Sequence, residues 1–477
     1  MKDSHCPDTL GQKSGIQYYI EKAKLALAQR ENRWHRAKKL RFDTIAVHGL
    51  YTMDEAIEKN QGALIEPLFL SSAQAYQDSA ELEAALSYQI PTWCYSRIHN
   101  PTLGYLEDVL ALLETYGSNI KASCCCYSSG MAAIENVTDT LLVRDSSAPL
   151  GMTPSVNFVS QCQIYGGTFQ QFNVRKMQER GIEVRWVLDP NNIDEWRQKI
   201  DRNTRFLYAE LPSNPGLQFF DLKPVIDLAH ENGIPMVVDS TIASPALMRP
   251  LVLGADIVIH SVTKVMSSSG MGMAGAVIAR QPIISSIPNE EMKSDFALYL
   301  KRYPQRDQGG CLHPFQALMT LNDLRDLRHR VDLFSQNALR VAEFLENHPK
   351  VKEVRYLGLK SHPLYKVASK YLYLVDAEKD PRYGKPINRY THLLAFSPEG
   401  GPEATRRVFD RFKIIYRATD LGRIKTVATI PAISTHLLQG EECREMACIP
   451  PDLIRLSVGG EHPDDIIADL DQALTGA

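Results

Sequence analysis

The sequence predicts an α/β fold, with a mainly parallel β-sheet between layers of helices and a second, smaller α+β domain. The first observation is that helical segments alternate with short apolar runs from about residue 76 to residue 285. The second is that these runs are continuous and rich in β-branched residues, which is typical of strands buried on both faces. The third is the length of 477 residues, with 44% hydrophobic and 23% charged residues, an ordinary globular composition for two domains.

A basic helix is predicted over residues 15–41, where apolar residues recur at three- and four-residue steps. Glu21 and Glu31 interrupt its Lys and Arg residues, so we interpret it as a solvated helix or as an arm that lies on a partner subunit. Residues 42–75 are predicted to be irregular. The alternating region then contains, in order, the segments KASCCCYSS, GMAAIENVTDTLL, SVNFVSQ, TRFLYAEL, KPVIDLAHEN, PMVVDS and ADIVIHSV.

The smaller domain is predicted to begin at the Gly309-Gly310 pair, within a stretch that contains Pro and Gly. A long helical stretch follows, and then strand-like THLLAFSP, helical PEATRRVFDRF and strand-like IRLSV. We therefore expect an N-terminal helical extension over residues 1–62, a large cofactor-binding domain over 63–308 and a small domain over 309–477.

Composition excludes several classes of function. The net charge of −3 argues against a nucleic-acid binder, and no run of about 18 apolar residues predicts a membrane span. The N-terminus has no apolar signal segment, and nine scattered cysteines without CxxC pairs fit a cytoplasmic protein with reduced thiols. Cys124, Cys125 and Cys126 cannot converge on one metal ion, because consecutive strand residues point to alternate faces. We interpret them as a core strand and predict no metal site.

Polar residues follow the predicted strands at their carboxyl ends, where α/β sheets bind ligands. Lys264 stands in a Ser-x-Thr-Lys sequence, after Asp239 at the end of the previous strand. A lysine that forms an imine, and a carboxylate that keeps a pyridine nitrogen protonated, are what pyridoxal-phosphate (PLP) chemistry needs. Lys264 alone could equally be a surface lysine in a Ser-rich loop. The residues at these strand ends are Ser128, Ser129, Asn214, Asp239, Ser261, Thr263 and Lys264.

With this pair, five further motifs give the chain a specific pattern that resembles the Cys/Met-metabolism branch of fold-type I PLP enzymes. Any one of these five would also fit an ordinary turn, a strand-to-helix connection, a core tyrosine or a surface salt bridge. The resemblance runs from about residue 43 to the C-terminus, and it implies a seven-stranded sheet in the large domain. The five motifs are YSRIHNPT at residues 95–102, SSGMAA at 128–133, YGGTF at 165–169, ELPSNP at 210–215 and IRLSVGGE at 454–461.

The resemblance also implies a role for each site residue. Lys264 would carry PLP as a Schiff base, and Asp239 would bind the pyridine nitrogen. Tyr165 would stack on the cofactor ring and exchange protons, whereas Asn214 would bind the ring hydroxyl and the substrate carboxylate. Arg455 would pair with the α-carboxylate of an amino-acid substrate. The residues implied to bind the cofactor phosphate are Gly130 and Met131 through their backbones, and Ser261 and Thr263 through their hydroxyls.

Tyr95 and Arg97 are implied to reach the phosphate in the neighbouring subunit's site, with Tyr95 also assisting proton transfer. This predicts a homodimer with shared active sites and, by the resemblance, a homotetramer.

The sequence departs from the family around its predicted lysine. Asp420 replaces Asn or Ser and should repel the substrate carboxylate unless Arg417, Arg423 or Lys425 pairs with it, so we include it among the substrate-binding residues. A Met-rich segment, residues 265–273, replaces the usual Gly-Gly-His and could line an adaptable pocket, although core packing is the commoner use of Met.

The segment at residues 420–426 resembles the sulfhydrylase members of the family. It predicts γ-replacement on an O-acylated homoserine, with sulfide or a small thiol as nucleophile. The alternatives are a methionine or cystathionine lyase that cleaves C–S bonds, a specialised γ-synthase that uses a carbon or nitrogen nucleophile, and a degenerate binding protein that has kept the fold.

Overall fold

A computed structural model describes residues 15–91, 93–143 and 156–477, and these residues form two β-sheets with helices packed around them. The first sheet has seven strands in the order β1-β7-β6-β5-β4-β2-β3. Only β7 runs opposite to the other six, because it pairs antiparallel with both β1 and β6. The seven strands are β1 (Ala122–Tyr127), β2 (Asn157–Gln161), β3 (Glu183–Val187), β4 (Thr204–Glu210), β5 (Met236–Asp239), β6 (Ile257–His260) and β7 (Gly275–Arg280).

Both faces of this sheet are buried, as the continuous apolar runs predict. On β4, Phe206 and Tyr208 join an aromatic cluster on one face, whereas Leu207 and Ala209 join the larger core on the other. A strand that is buried on both faces is apolar over most of its length, as β4 is from Phe206 to Ala209. The three consecutive cysteines are buried in β1, as predicted.

Helices cover the sheet on both sides. Those before β1 are α1 (Ile16–Ala37), α2 (Phe42–His48), α3 (Met53–Lys59), α4 (Ser79–Leu86) and α5 (Pro101–Glu114). Those between β1 and the end of the large sheet region are α6 (Gly130–Leu141), α7 (Gly166–Gln170), α8 (Ile193–Lys199), α9 (Leu222–Glu231), α10 (Ser244–Leu247), α11 (Pro250–Leu253), α12 (Glu290–Ser294), α13 (Phe296–Arg302) and α14 (Pro304–Gln308). The helix α7 continues as a π-helix over Gln171–Gln178.

The second sheet has five strands in the order β10-β11-β12-β9-β8, and only β10 and β11 are parallel. Its strands are β8 (Val351–Arg355), β9 (Leu393–Pro398), β10 (Tyr416–Arg417), β11 (Val427–Thr429) and β12 (Ile454–Ser457). The remaining helices are α15 (Pro314–Leu324), α16 (Leu327–Glu346), α17 (Tyr365–Tyr371), α18 (Gly401–Asp410), α19 (Gly440–Met446) and α20 (Pro463–Thr475).

The N-terminal helix lies on its own chain. Tyr19 is buried beside Ala84 and Ala85 of α4, and its hydroxyl donates to Asp78 Oδ2 at 2.7 Å. Arg30 pairs with Asp108 of α5. The helix is therefore neither fully solvated nor held only by a partner subunit, because its basic residues find carboxylates within this chain. Residues 1–14 of the predicted extension, including Cys6, lie outside the described residues.

The prediction of an irregular segment over residues 42–75 is wrong in part, because this segment contains α2 and α3. The side chain of Thr52 accepts a hydrogen bond from Glu55 N and so caps α3, while Phe42 and Ile45 of α2 are fully buried. Helices of seven residues span too few turns to show a clear apolar periodicity.

The long predicted helix after Gly309-Gly310 is two helices, α15 and α16, separated at Arg325 and Asp326. Cys311 forms a β-bridge with Tyr127 at the end of β1, and α15 packs on α5. The start of the predicted small domain thus lies against the large sheet, and the second sheet begins at residue 351.

No helix among the described residues is long and apolar enough to cross a bilayer.

Candidate active site

A cavity of about 270 Å³ opens at the carboxyl edge of the large sheet, where β1, β4, β5 and β6 end. It is lined by Ser129, Gly130, Met131, Ile134, Tyr165, Glu210, Asn214, Asp239, Thr241, Ile242, Ser261, Thr263, Lys264, Met273, Thr419, Leu421 and Arg455. The structure thus brings nine of the predicted site residues together around one cavity, and a tenth, Asp420, hydrogen-bonds to Lys264.

Lys264 follows β6 and points its amine at a carboxylate from the small domain. Its Nζ lies 2.8 Å from Asp420 Oδ1. Burial lowers the pKa of Lys264, and the charge of Asp420 opposes that change only in part. A buried lysine with a lowered pKa is a better nucleophile and proton acceptor at neutral pH than an exposed one.

Two carboxylates end neighbouring strands at the base of the cavity. Glu210 and Asp239 are paired residues of β4 and β5, and both are buried. Burial raises the pKa of Asp239, although Thr241 donates to it from its backbone N–H at 3.0 Å and from its hydroxyl. Burial and the nearby Asp239 raise the pKa of Glu210 well above its usual range. Among the described residues Asp239 makes no ion pair, so a cationic partner inside the cavity would stabilise its charge.

Glu210 has a second role, which the sequence did not indicate. Its Oε2 accepts the backbone N–H of Tyr165 at 2.7 Å, and its Oε1 accepts the backbone N–H of Asn214 at 2.8 Å. One buried side chain therefore fixes the backbone positions of two predicted cofactor contacts. A glutamate at a strand end, just before a Pro-rich turn, was the available signal.

Arg455 forms the opposite wall. This side chain is 1% exposed, and burial lowers its pKa to about 10. Its Nη1 donates to Asn214 Oδ1 at 2.9 Å, and its Nη2 donates to the carbonyl of Asp420 at 2.8 Å. Within the described residues it meets no carboxylate at salt-bridge distance, so the site holds a buried cation without an anion. A substrate carboxylate would supply that anion.

Tyr165 stands between these walls at the start of α7. Burial raises the pKa of its hydroxyl. A side chain on Gly167 would stand 2.5 Å from the Tyr165 ring, so a glycine is needed there for the ring to keep its place. His436 packs edge-on against this ring at 6.4 Å.

The amino end of α6 faces the cavity from the side of β1. Ser129 caps the helix by accepting Ala132 N, and Gly130 and Met131 begin it, so their N–H groups have no acceptor within the helix. A Cβ on Gly130 would lie 2.8 Å from Ser261 Cβ, so the helix backbone packs closely against the strand-end hydroxyl. Free N–H groups at a helix start suit a phosphate.

Thr263 lines the cavity and makes a further contact besides its predicted role. Its hydroxyl donates to the carbonyl of Ala274 at 3.0 Å and accepts the N–H of the same residue, so it also holds the strand end that follows Lys264. Thr241 likewise ties two strand ends together, because its hydroxyl accepts Ser261 N at 2.7 Å.

Tyr95 and Arg97 lie outside this cavity. Both are exposed, the Arg97 guanidinium stacks 5.5 Å from the Tyr95 ring, and Arg97 donates to the carbonyl of Arg306. In this chain they are separated from the phosphate-binding candidates, because they occupy an outer loop before α5.

Of the three basic residues that the sequence suggested as ion-pair partners of Asp420, Arg423 forms the pair. Arg423 donates through Nε to Asp420 Oδ2. The alternative Arg417 donates instead to carbonyls at Asp410 and Phe412, and Lys425 lies over the ring of Tyr416. In the Met-rich segment, Met273 lines the cavity whereas Met271 is not among the lining residues.

The residues present fit PLP. An uncompensated buried carboxylate at Asp239 suits a pyridinium nitrogen, and the helix start at Gly130 suits a phosphate. Between them stand the amine of Lys264 and the ring of Tyr165.

Gly130→Ala is expected to weaken PLP binding by about tenfold to a hundredfold, because overpacking against Ser261 costs about 1–3 kcal/mol. Absorbance titration of the apoprotein with PLP measures this. Gly216→Ala is the matched control, since a Cβ there meets nothing nearer than 3.9 Å. Equal dissociation constants for the Gly130 variant and the wild type would show that this helix start does not hold the cofactor.

Comparison with known proteins gives consistent results. The sequence model of the Cys/Met metabolism PLP-dependent enzyme family matches residues 43–475. An L-methionine gamma-lyase of Fusobacterium nucleatum subsp. nucleatum is 32% identical over 438 residues, which cover 92% of this chain and 98% of the relative. A homocysteine synthase of Schizosaccharomyces pombe is 31% identical over 467 residues, which cover 91% of this chain and 98% of the relative.

A solved structure agrees with the fold. The crystal structure of a candidate O-acetylhomoserine (thiol)-lyase from Campylobacter jejuni has a TM-score of 0.79 at 29% identity, and the match covers 91% of this chain and all of that one, or 100%. That protein carries N′-pyridoxyl-lysine-5′-monophosphate. The predicted fold class and the predicted cofactor are thereby confirmed.

Proposed function

Because this chain belongs to the Cys/Met metabolism PLP-dependent enzyme family, we propose that it catalyses γ-replacement on an O-acylated homoserine, with sulfide or a small thiol as nucleophile. The observation that carries the proposal is the cavity that joins Lys264 and Asp239 to the buried, anion-free guanidinium of Arg455. A PLP lysine opposite a carboxylate-binding arginine is the arrangement that an α-amino-acid substrate needs.

The chain's own residues orient the substrate before any bond changes. Arg455 binds the α-carboxylate, with Asn214 fixing the guanidinium at 2.9 Å. Tyr165 supplies a flat, partly buried wall. When bound, PLP supplies an electron sink for negative charge that develops at the substrate carbons.

Lys264 moves the protons. Its amine takes the proton from Cα and releases it to the bound cofactor, and then takes a proton from Cβ, whose freed electron pair expels the acyl group from Cγ as a carboxylate. Burial keeps the pKa of this amine below its usual value, which favours the neutral form that accepts a proton. Addition of the nucleophile at Cγ then completes the replacement.

The choice of replacement over elimination rests on the segment at residues 420–426. Its pattern is similar to that of the sulfhydrylases, and its residue Leu421 lines the cavity together with the preceding Thr419. Lys425 and Thr426, which carry the pattern, are not lining residues; Thr426 instead bonds to Glu461 at 2.8 Å and holds the segment in place. The experiment must also be able to detect a lyase, because a methionine gamma-lyase is among the relatives.

A product assay separates the two activities. The PLP-loaded protein is supplied with O-acetylhomoserine in the presence and absence of 2-mercaptoethanol, and thioether, ammonia and keto acid are measured. We expect thioether formation that depends on the thiol, with only slow ammonia release without it. Ammonia and keto acid at an equal rate without any thiol would identify a lyase instead.

The exposed pair of Tyr95 and Arg97 supports a homodimer. Neither residue reaches the cavity of its own chain, and a stacked Tyr–Arg pair on an outer loop is suited to bind a phosphate in a neighbouring subunit. We propose that each subunit completes the partner's phosphate site in this way.

A further inference from the structure

Asp420 is a carboxylate that the chain brings to the reacting amine from a distant part of the sequence. It lies between two cavity-lining residues, Thr419 and Leu421, and its side chain is 33% exposed. Its Oδ1 accepts a hydrogen bond from Lys264 Nζ at 2.8 Å. A proton could pass directly between the two groups at this distance.

Arg423 fixes that carboxylate in place. Its Nε donates to Asp420 Oδ2, and its Nη1 donates to the carbonyls of Thr263 and Ser267, each at 2.7 Å. The guanidinium is thus anchored to the backbone on both sides of Lys264. The Arg423 side chain therefore fixes the positions of both Asp420 and the backbone around Lys264. It donates to Oδ2 of Asp420, whereas Oδ1 accepts the hydrogen bond from the Lys264 amine.

Four ionisable groups surround Asp420: Lys264, Arg423, Arg455 and Tyr165. Burial alone would raise the pKa of Asp420, but the cations Lys264 and Arg423 outweigh it and hold the pKa below its usual range. Lys264 is the larger of these two influences. Whenever the amine of Lys264 is neutral, that influence is lost and Asp420 becomes a stronger proton acceptor.

We propose that Asp420 accepts the proton of the incoming nucleophile, so that the enzyme uses the neutral, protonated thiol rather than the thiolate. This inference rests on the proposed γ-replacement and assigns a further catalytic residue to it.

The addition step balances with groups that are present. As the sulfur electron pair forms the bond to Cγ of the unsaturated substrate, the displaced electron pair of the carbon–carbon double bond takes a proton at Cβ from the Lys264 ammonium. The loss of that proton leaves Lys264 neutral, so Asp420 Oδ1 accepts the proton that is released as the S–H bond of the thiol breaks. Asp420 then passes its proton over 2.8 Å to the neutral amine, which restores both groups.

The charge of Asp420 also selects the form of the nucleophile. Asp420 offsets part of the attraction that the cations Lys264 and Arg423 would exert on a thiolate, and a thiolate has no proton to donate to Oδ1. A neutral thiol can donate a hydrogen bond to Oδ1.

The test compares Asp420→Asn with Asp464→Asn. Asp464 is exposed, and among the described residues it forms surface ion pairs with Arg340 and His462. The PLP-loaded enzymes react with O-acetylhomoserine and 2-mercaptoethanol across pH 6 to pH 9.5, and kcat/KM for total thiol is measured. We expect Asp420→Asn to lower this value by about 100-fold at pH 7, the usual contribution of a general base. The deficit should shrink as pH rises, because Asn leaves only the thiolate pathway, whereas Asp464→Asn should follow the wild type.

The pH profile separates proton transfer from a structural role. Parallel profiles for the wild type and Asp420→Asn, or equal rates at pH 7, would overturn the inference and leave the γ-replacement intact. If no thioether forms with any variant while ammonia does, the proposed function itself fails, and the role of Asp420 fails with it.

The PLP dissociation constant of the apoproteins is a measurement that does not depend on activity. We expect Asp420→Asn to bind PLP with a dissociation constant within a few-fold of the wild-type value. A loss of PLP binding would assign Asp420 to cofactor retention instead.

Discussion

Lys264→Ala should lower kcat/KM for O-acetylhomoserine by about 10⁴-fold or more, since general acid–base catalysis by one positioned group contributes up to about that factor. In the proposed mechanism Lys264 binds the cofactor and transfers protons at two substrate carbons. It is the only lysine among the described residues that line the cavity. The substitution also leaves Asp420 without its 2.8 Å partner, so the carboxylate loses the main influence that lowers its pKa.

Two measurements check this prediction. The first is the steady-state rate, and the second is mass spectrometry after borohydride reduction, which should find a pyridoxyl group on residue 264 of the wild type and none on the variant. Lys425→Ala is the matched control, because that amine lies 4.6 Å from the centre of the Tyr416 ring, outside the cavity. A pyridoxyl label on a different lysine of the wild type would contradict the assignment of Lys264.

Arg455→Ala should raise KM for the amino-acid substrate by about 10²-fold or more, because removing one member of a buried, hydrogen-bonded charge pair costs about 2–5 kcal/mol. The guanidinium is almost fully buried and meets no carboxylate among the described residues, so the substrate supplies its anion. Without it, Asn214 also loses its 2.9 Å contact.

A substrate-binding role for Arg455 can be distinguished from a role in the chemical step, because the two roles affect different kinetic constants. We expect the effect mainly on KM for O-acetylhomoserine and little change in KM for the thiol, with Arg455→Lys restoring part of the affinity through its charge. Arg417→Ala is a suitable control, since within the part of the chain that the structure describes this exposed side chain donates to the carbonyls of Asp410 and Phe412, away from the cavity. An unchanged KM in Arg455→Ala would place the carboxylate-binding site elsewhere.

The large sheet was predictable because the signals that specify it are local. A strand buried on both faces must be apolar along its length, so β4, β5 and β6 are visible as continuous runs. The same rule places Asp239 and Lys264 at the ligand-binding edge, because a polar residue at the end of such a run emerges where parallel strands meet the cavity. The short helices α2 and α3 escaped prediction, since their stability comes from burial of residues such as Phe42 rather than from their own periodicity.

The sequence by itself therefore determined the fold class and the cofactor, because the buried strands and the motifs that indicate them are each short patterns of neighbouring residues. Tertiary structure alone decided which charges compensate one another. Asp420 meets Lys264 across 156 residues of sequence, and Arg455 meets Asn214 across 241. No local pattern encodes such pairings: whether a charge is buried, and which opposite charge stabilises it, depends on distances that exist only after the two sheets have packed together.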